Sequence, residues 1–412
     1  MKKRITNLCF CLGLLALGSG CNSGNTSGRA ASGDGLDSLI ASELAFAAGQ
    51  ALLLDSQCPD TLFPRTFEQD SVRCSRSGWW TTGFFPGELW YLYEASGDDL
   101  FRNRARARTA ALTSEQYNRN DHDLGFKLYN SFGNGLRLTG DSSYTPVLLQ
   151  GATSLLTRFH PSVGLIMSWN PNPGRGWDYP VIIDNMMNLE LLFWASRASG
   201  NPVYAERAIA HADKTLANHF REDNSSYHVV SYDSITGQPQ AKETAQGYSN
   251  ASAWARGQAW GLYGYTMAYR ETGFARYLEQ ATRIADFILQ NPNLPEDKVP
   301  YWDFDTPDSL KVYRDVSAAA ITCSALIELS RYVAGEQQQF YLDSAVQILR
   351  SLAAAPYRAE KGENGGFLLK HSVGSIPHGS EVDVPLSYAD YYFVESLLRL
   401  KRLRAGEEVV KQ

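Results

Sequence analysis

Apolar residues recur at helical spacing through most of the chain, and the breaks between these stretches are short and centred on glycine. Five breaks, Ser96-Gly97-Asp98, Thr139-Gly140-Asp141, Ser199-Gly200-Asn201, Thr272-Gly273-Phe274 and Ala334-Gly335-Glu336, each close one helical pattern and open the next. Glycine takes the left-handed conformation just past a helix end without steric penalty, so each break predicts a helical hairpin. The leading helices are expected near 87–95, 124–138, 185–198, 253–271 and 316–333, and the following ones near 101–117, 144–159, 204–220, 277–290 and 338–353. Helical patterns at 37–54 and 387–403 remain and supply a sixth pair. Six hairpins predict an all-α (α/α)6 barrel. Its inner ring comes from the leading helices, which carry small and aromatic residues on several faces, and its outer ring from the Arg- and Lys-bearing ones. A superhelical repeat protein is the alternative, but its repeats would be more uniform in length.

The connections are unequal. Those within a hairpin are short, whereas 161–183, 221–250, 291–314 and 356–386 are long, and all of these reach the barrel where inner helices begin. Long loops gathered at one end predict a cleft there.

The N-terminus reads separately. Lys2, Lys3 and Arg4 precede an apolar run from Leu8 to Leu17, and Gly18-Ser19-Gly20-Cys21 closes it, the pattern of a bacterial export signal. Cys21 stands where a lipoprotein precursor is cut and acylated; ordinary cleavage to a periplasmic product is the alternative. The expected organisation is a signal over 1–21, a Ser-, Gly- and Asn-rich tether over 22–36 and a single barrel domain over 37–412. The protein is thus expected to be exported, facing the periplasm or cell surface, with the membrane met only through a lipid on Cys21. No later run is expected to be long and apolar enough to span a membrane. With 44% hydrophobic residues, nine Trp and twenty-two Tyr, the chain can bury a large core. A formal charge of −6 with no basic cluster argues against a nucleic-acid partner. Cys58 and Cys74 are able to pair in an oxidising compartment, and no Cys and His spacing suggests a metal site. Nothing here fixes the oligomeric state.

Candidate chemistry lies at the starts of the inner helices. In Gly247–Tyr265 a helix capped by Asn250 or Ser252 would carry Arg256 and Trp260 four residues apart, a charged fork and a flat ring on one face suited to a carboxylated sugar. Asp123, Asp184 and Asp315 each stand at an inner-helix start, where Asp is also a favoured N-cap. Asp184 follows an apolar run and precedes Met186 and Met187, and Asp123 comes with His122 and Asp121, so these two stand above a simple cap. Facing carboxylates do not both ionise easily, and desolvation would hold one protonated, while the helix dipole favours the charged form. Trp79 and Trp80, and Trp169 and Trp177 in a long loop, offer rings for sugar faces, although one of the first pair is expected in the core. His228 sits at a short strand pattern, either solvent-facing or meeting a substrate carboxylate.

The segments His122-Asp123-Leu124-Gly125-Phe126, Ile183-Asp184-Asn185-Met186-Met187-Asn188 and Ser252-Ala253-Trp254-Ala255-Arg256-Gly257-Gln258-Ala259-Trp260 together resemble the unsaturated glucuronyl hydrolases. The likeness runs from Gly78-Trp79-Trp80 to Tyr388-Ala389-Asp390-Tyr391-Tyr392-Phe393, with Arg-Gly-Gln-Ala-Trp its most specific part. It implies a barrel that removes unsaturated glucuronic acid from the non-reducing end of lyase-generated glycosaminoglycan oligosaccharides by hydrating a vinyl ether, without cofactor. By the same resemblance Asp184 is the general acid and base, Asp123 assists it, and Trp80, His122, His228, Arg256 and Trp260 contact the uronate. Ala245 departs from a pattern in which some members carry His, and the loop Lys370 to Ser375 either meets a sulfate on the next sugar or is solvated surface. The alternatives are an unsaturated rhamnogalacturonyl hydrolase and a non-catalytic glycan-binding lipoprotein.

Overall fold

Six helical hairpins close into a ring in the computed structural model, which describes residues 35–412. The export signal, Cys21 and all but the end of the tether lie outside the described residues. In chain order the helices are α1 (Leu36–Gln57), α2 (Phe84–Ser96), α3 (Asp99–Ala110), α4 (Asn134–Thr139), α5 (Tyr144–Leu156), α6 (Leu189–Ser199), α7 (Val203–Asn218), α8 (Ala255–Thr272), α9 (Ala275–Gln290), α10 (Val316–Leu329), α11 (Gly335–Leu352) and α12 (Ser387–Arg404). The even-numbered helices form the inner ring, with α12 closing against α2, and the odd-numbered ones lie outside. Burial explains the sorting. On α9 the buried positions Tyr277, Ala281, Ile284, Ala285 and Ile288 make one stripe, whereas α10 buries every residue.

The hairpin glycines act as expected at four breaks: Gly97, Gly140, Gly200 and Gly273 cap helix ends with φ of 69°, 67°, 71° and 68°. At the fifth, α10 ends at Leu329, and Gly335 instead opens α11. The first helix starts at the buried Leu36, one residue inside the expected tether. By length and composition α1 is apolar enough to cross a membrane, which the sequence reading had not allowed for. It is nevertheless an outer helix of the barrel. Its buried Glu43 pairs with Arg358, its buried Asp55 pairs with Arg104 and Arg108, and it packs on α12.

The long loops all lie at the end where inner helices begin, and three of them, with the connection before α2, carry small antiparallel sheets: β1 (Phe63–Glu68) with β2 (Ser71–Ser75), β3 (Phe159–His160) with β4 (Leu165–Ile166), β5 (Tyr179–Ile182) with β6 (Val229–Tyr232) and β7 (Pro239–Glu243), and β8 (Ser372–Ser375) with β9 (Ser380–Val384). Cys58 and Cys74 form a disulfide that ties the end of α1 to β2. Two irregular segments complete this end. A π-helix over Gly125–Gly133 runs into α4, and a 3₁₀ turn over Ile183–Asn188 leads into α6. Asn188 Oδ1 accepts a 3.0 Å hydrogen bond from Phe126 N, and only glycine fits at 125, where a Cβ would lie 2.6 Å from Asn188 Cα. The turn bearing Asp184 is thereby fastened to the turn bearing Asp123.

A second close approach secures α2: a Cβ on Gly83 would run into the backbone of Phe126 and Lys127, including Lys127 Cα at 2.7 Å. Backbone cannot step aside as a side chain can. Gly83→Ala is expected to lower stability by roughly 1–3 kcal/mol or more, the range for overpacking a dense core, as read by denaturant unfolding.

Candidate active site

At the barrel end that carries the sheets, the three aspartates separate by role. Asp315 is a helix cap: Oδ1 accepts from Ser317 N at 3.1 Å and Ala318 N at 3.4 Å, and Oδ2 takes Arg256 Nη1 at 3.1 Å. Asp123 and Asp184 cap nothing. Leu124 and Ile182 occupy the cap positions of their segments, without side-chain capping bonds.

Asp184 is 8% exposed, and its Oδ2 has no hydrogen-bond partner. His228 Nε2, also unpartnered, faces that oxygen at 3.8 Å. The tautomer of His228 follows from its other nitrogen, because Nδ1 accepts from Ala245 N at 3.1 Å and Gln246 N at 3.2 Å. The proton is therefore on Nε2 and points at Asp184. Burial holds His228 well below its usual pKa, with Arg256 adding to the effect, so it stays a neutral donor. Burial likewise pushes Asp184 up to about 7, opposed by the Arg256 charge, by backbone hydrogen bonding and by the Trp260 ring N–H. That N–H completes no hydrogen bond of good geometry.

Asp123 is the companion acid, with its side chain 13% exposed and His122 Nε2 at 3.5 Å. Burial raises it, then the charge of Asp121 and, more weakly, that of Asp184, against Lys127 and Arg158. Asp121 is anchored by the buried Lys127, whose Nζ lies 2.9 Å from its Oδ2, and it is held below the usual range by that cation despite its burial. His122 is buried, and desolvation takes it down to about 3, so it too is neutral.

The aromatic residues form a continuous wall. Trp80 packs at 5.8 Å from Phe126 and 4.9 Å from Tyr388, and Phe126 lies 5.1 Å from Trp260. Neither Trp79 nor Trp80 is in the core: Trp79 is exposed beneath Arg65, and Trp80 is partly buried at the cavity edge. Trp169 and Trp177 stack on one another at 5.7 Å, and Trp169 meets the His228 ring edge-on.

Arg256 departs from the sequence expectation of a free fork. It is 1% exposed, and its Nη atoms go to Asp315, the carbonyls of Val373 and Gly374, and Gln246 Oε1 at 3.5 Å, while its plane lies 4.4 Å from the Trp254 ring. Only Nε is without a partner. It therefore acts on the pocket through its charge and by shaping the wall. The helix cap is also corrected: α8 begins at Ala255 with no side-chain cap, and Ser252 is bound instead to Ser249 and Asp303.

The seven residues that the family resemblance assigns to the site, Asp184, Asp123, Trp80, His122, His228, Arg256 and Trp260, lie together here. Lys127, Gln246 and Trp254, which support Asp121, His228 and Arg256, were missed because nothing in the local sequence shows which way their side chains or amides turn. Ala245 packs in a small apolar cluster with Trp177, Ile182 and Val229, so its side chain is turned into protein. His371 of the C-terminal loop is exposed and pairs with Asp383 at 2.6 Å.

Residues 63–293 match the family described as Glycosyl Hydrolase Family 88. The chain is 46% identical to an unsaturated glucuronyl hydrolase of Formosa agariphila, across 79% of this chain and 80% of that one. Among solved structures it is similar to an unsaturated glucuronyl hydrolase specific for heparin, with a TM-score of 0.87 and 46% identity over 90% of this chain and 98% of that one. It is also similar to the Bacillus sp. GL1 unsaturated glucuronyl hydrolase, described as responsible for the degradation of glycosaminoglycan, with a TM-score of 0.84 and 31% identity over 90% and 99% of the two chains.

In protein carrying carboxyl-¹³C aspartate, one resonance is expected to titrate near pH 7 and to vanish in Asp184→Asn. An Asp184 midpoint near 4, the ordinary value, would contradict the desolvated setting described above.

Proposed function

Because this chain belongs to glycosyl hydrolase family 88 alongside the unsaturated glucuronyl hydrolases, we propose that it removes 4,5-unsaturated glucuronic acid from the non-reducing end of glycosaminoglycan oligosaccharides produced by lyases. The observation that carries the mechanism is the largely buried Asp184, its Oδ2 unpartnered and its pKa near neutrality, facing a neutral His228 N–H.

An acid that is half protonated at neutral pH serves in both directions. Protonated Asp184 gives its proton to C4 of the C4=C5 bond, and the resulting positive charge at C5 is shared with the ring oxygen. Water adds at C5 and returns a proton to Asp184, leaving a hemiketal. That hemiketal opens to a 5-keto group, and the freed ring oxygen becomes a hydroxyl on C1. C1 is then itself a hemiacetal and expels the neighbouring sugar with its oxygen. No group attacks C1, unlike the two usual glycosidase routes.

The remaining residues follow from position. His228 Nε2–H orients the water or a substrate hydroxyl in the 3.8 Å gap beside Asp184. Asp123, kept protonated by burial and by the charge of Asp121, donates a hydrogen bond that positions the substrate beside Asp184, with His122 next to it. Trp80 lines the pocket edge and the buried Trp260 backs the wall behind Phe126, and the nearby Arg256 charge favours entry of the uronate carboxylate and restrains the Asp184 pKa. The Arg-Gly-Gln-Ala-Trp segment supports the glucuronyl reading over the rhamnogalacturonyl one. Export with acylation at Cys21 is part of the same reading, and the Cys58–Cys74 disulfide supports an oxidising compartment.

Loss of the ultraviolet absorbance of the C4=C5 uronate should accompany incubation with unsaturated chondroitin, hyaluronan or heparin disaccharides. Asp184→Asn is expected to lower kcat by about 10²–10⁴-fold or more, the usual contribution of a general acid and base. A constant signal with wild-type protein on all of these substrates, and on the pectin-derived disaccharide, would return the chain to the glycan-binding alternative.

The pH profile has a fixed sign. Proton donation needs the acid form, so kcat/KM for wild type should fall tenfold per pH unit above about 7. A rate that climbs through pH 7 to 9 would contradict Asp184 as the donor.

A further inference from the structure

Lysine is almost never fully buried unless it is paired, yet the Lys127 side chain is 0% exposed in the wall of the pocket. It stands in the first turn of the π-helix, and its own N–H donates to the Asp123 carbonyl at 2.9 Å. The ammonium carries three donors. It donates to the Gly78 carbonyl at 3.0 Å and to the Asp121 carboxylate, whose oxygens lie at 2.9 and 3.2 Å, and it stands 3.5 Å from Glu115 Oε2.

Each of these partners leads to a different part of the site. Asp121 Oδ1 accepts from Asp123 N at 3.0 Å and so sets the turn that aims Asp123. Gly78 begins the run that carries Trp79 and Trp80, and Thr82 Oγ1 lies 2.9 Å from the carbonyls of both Ser77 and Trp79, which closes that loop on itself. Glu115, in the 3₁₀ turn Thr113–Tyr117, accepts from Ser77 Oγ at 2.7 Å, and Asn118 Nδ2 bridges Glu115 and Asp121 at 3.0 and 2.9 Å. The loop before α2 and the turn before the π-helix therefore meet on one cation. A staple that served stability alone would need no buried charge, because apolar side chains of similar volume often replace a buried ion pair without loss. Charge-assisted hydrogen bonds add direction, and here they fix two groups that face the substrate.

We propose that Lys127 is a positioning residue for the reaction: by binding Asp121 and the Gly78 carbonyl together, it holds Asp123 and Trp80 at the separation that places the uronate ring beside Asp184. This rests on the reading that the substrate is an unsaturated uronyl oligosaccharide. Buried as it is, Lys127 reaches the substrate only through those two residues. A misplacement of about 1 Å in such a pair is enough to cost about 10²-fold in rate. The acidity of Asp184 is set by burial, by the Arg256 charge and by hydrogen bonding that does not involve Lys127, so position and acidity are separable.

The test compares wild type with Lys127→Met, which removes the charge, and with Lys127→Met plus Asp121→Asn, which also removes the carboxylate that the first change leaves uncompensated. Circular dichroism sets a temperature at which each protein is folded, and kcat and KM are read there by absorbance loss on the unsaturated disaccharide that wild type turns over fastest. Both variants are expected to lower kcat/KM by about 10²-fold, while the Asp184 carboxyl-¹³C resonance still titrates near pH 7. Ser77→Ala leaves every charge in place, is expected to fold and to lower kcat/KM by about tenfold, and carries the test alone if neither lysine variant folds. Folded variants with the kcat and KM of wild type would make Lys127 a staple of the fold and overturn the inference. A loss of rate that accompanies a moved Asp184 midpoint would overturn it as well, since charge and not position would then be responsible. Wild-type protein that turns over no substrate while Asp184→Asn binds the disaccharides would overturn the proposed function. The inference is then read from calorimetry: adding Lys127→Met and Asp121→Asn to Asp184→Asn should weaken binding by about tenfold or more, and unchanged affinity overturns it. Absence of both turnover and binding overturns both.

Discussion

A single buried cation holds the working end of this barrel together. Arg256, at the start of α8, reaches the cap of α10 through Asp315 and the β8 strand through two carbonyls, and it lies over the rings of Trp254 and Tyr388. Three segments far apart in sequence therefore share one charge. Burying a guanidinium is costly, and the cost is offset only where carboxylate and carbonyl partners are complete. Taking away one partner of such a pair typically costs about 3–5 kcal/mol, because the other charge is left uncompensated. The geometry around the pocket is accordingly all or nothing.

The chemistry depends on that fixed frame. A carboxyl group reaches a pKa near 7 only when water is kept away and its neighbours are neutral or distant. Here the neighbours of Asp184 are a histidine kept neutral by burial and an indole, and the positive charge that would otherwise drag it down is shared with Asp315. Asp121 shows the opposite outcome a short distance away: it too is buried, but Lys127 touches it, and it stays ionised. The same residue type in adjoining positions is an acid or an anion according to whether a cation makes direct contact.

Much of this was legible before the structure. Periodicity and hairpin glycines revealed the barrel, and long loops at the inner-helix starts located the cleft. What sequence could not separate was cap from catalyst, since Asp123, Asp184 and Asp315 all occupy helix starts, and only the direction of each side chain distinguishes them. Arg256 was misjudged for a related reason: nothing local indicates that β8, more than a hundred residues later, supplies the carbonyls that occupy its Nη atoms. The π-helix at Gly125–Gly133 and the 3₁₀ turn at Ile183–Asn188 were hidden because apolar spacing does not distinguish these windings from an ordinary helix.

The aromatic wall has one further consequence. Phe126 and Trp260 are both almost wholly buried and pack against each other, and Phe126 also lines a separate cavity with Tyr91 and Glu395, so the pocket has a floor. A chain cannot thread through a pocket with a floor. Only the last sugar of an oligosaccharide can enter, it must leave by the way it came, and each encounter removes a single residue. Such an enzyme works as a counter of chain ends: its throughput is set by how many ends other enzymes have already cut, and not by how much polymer is present.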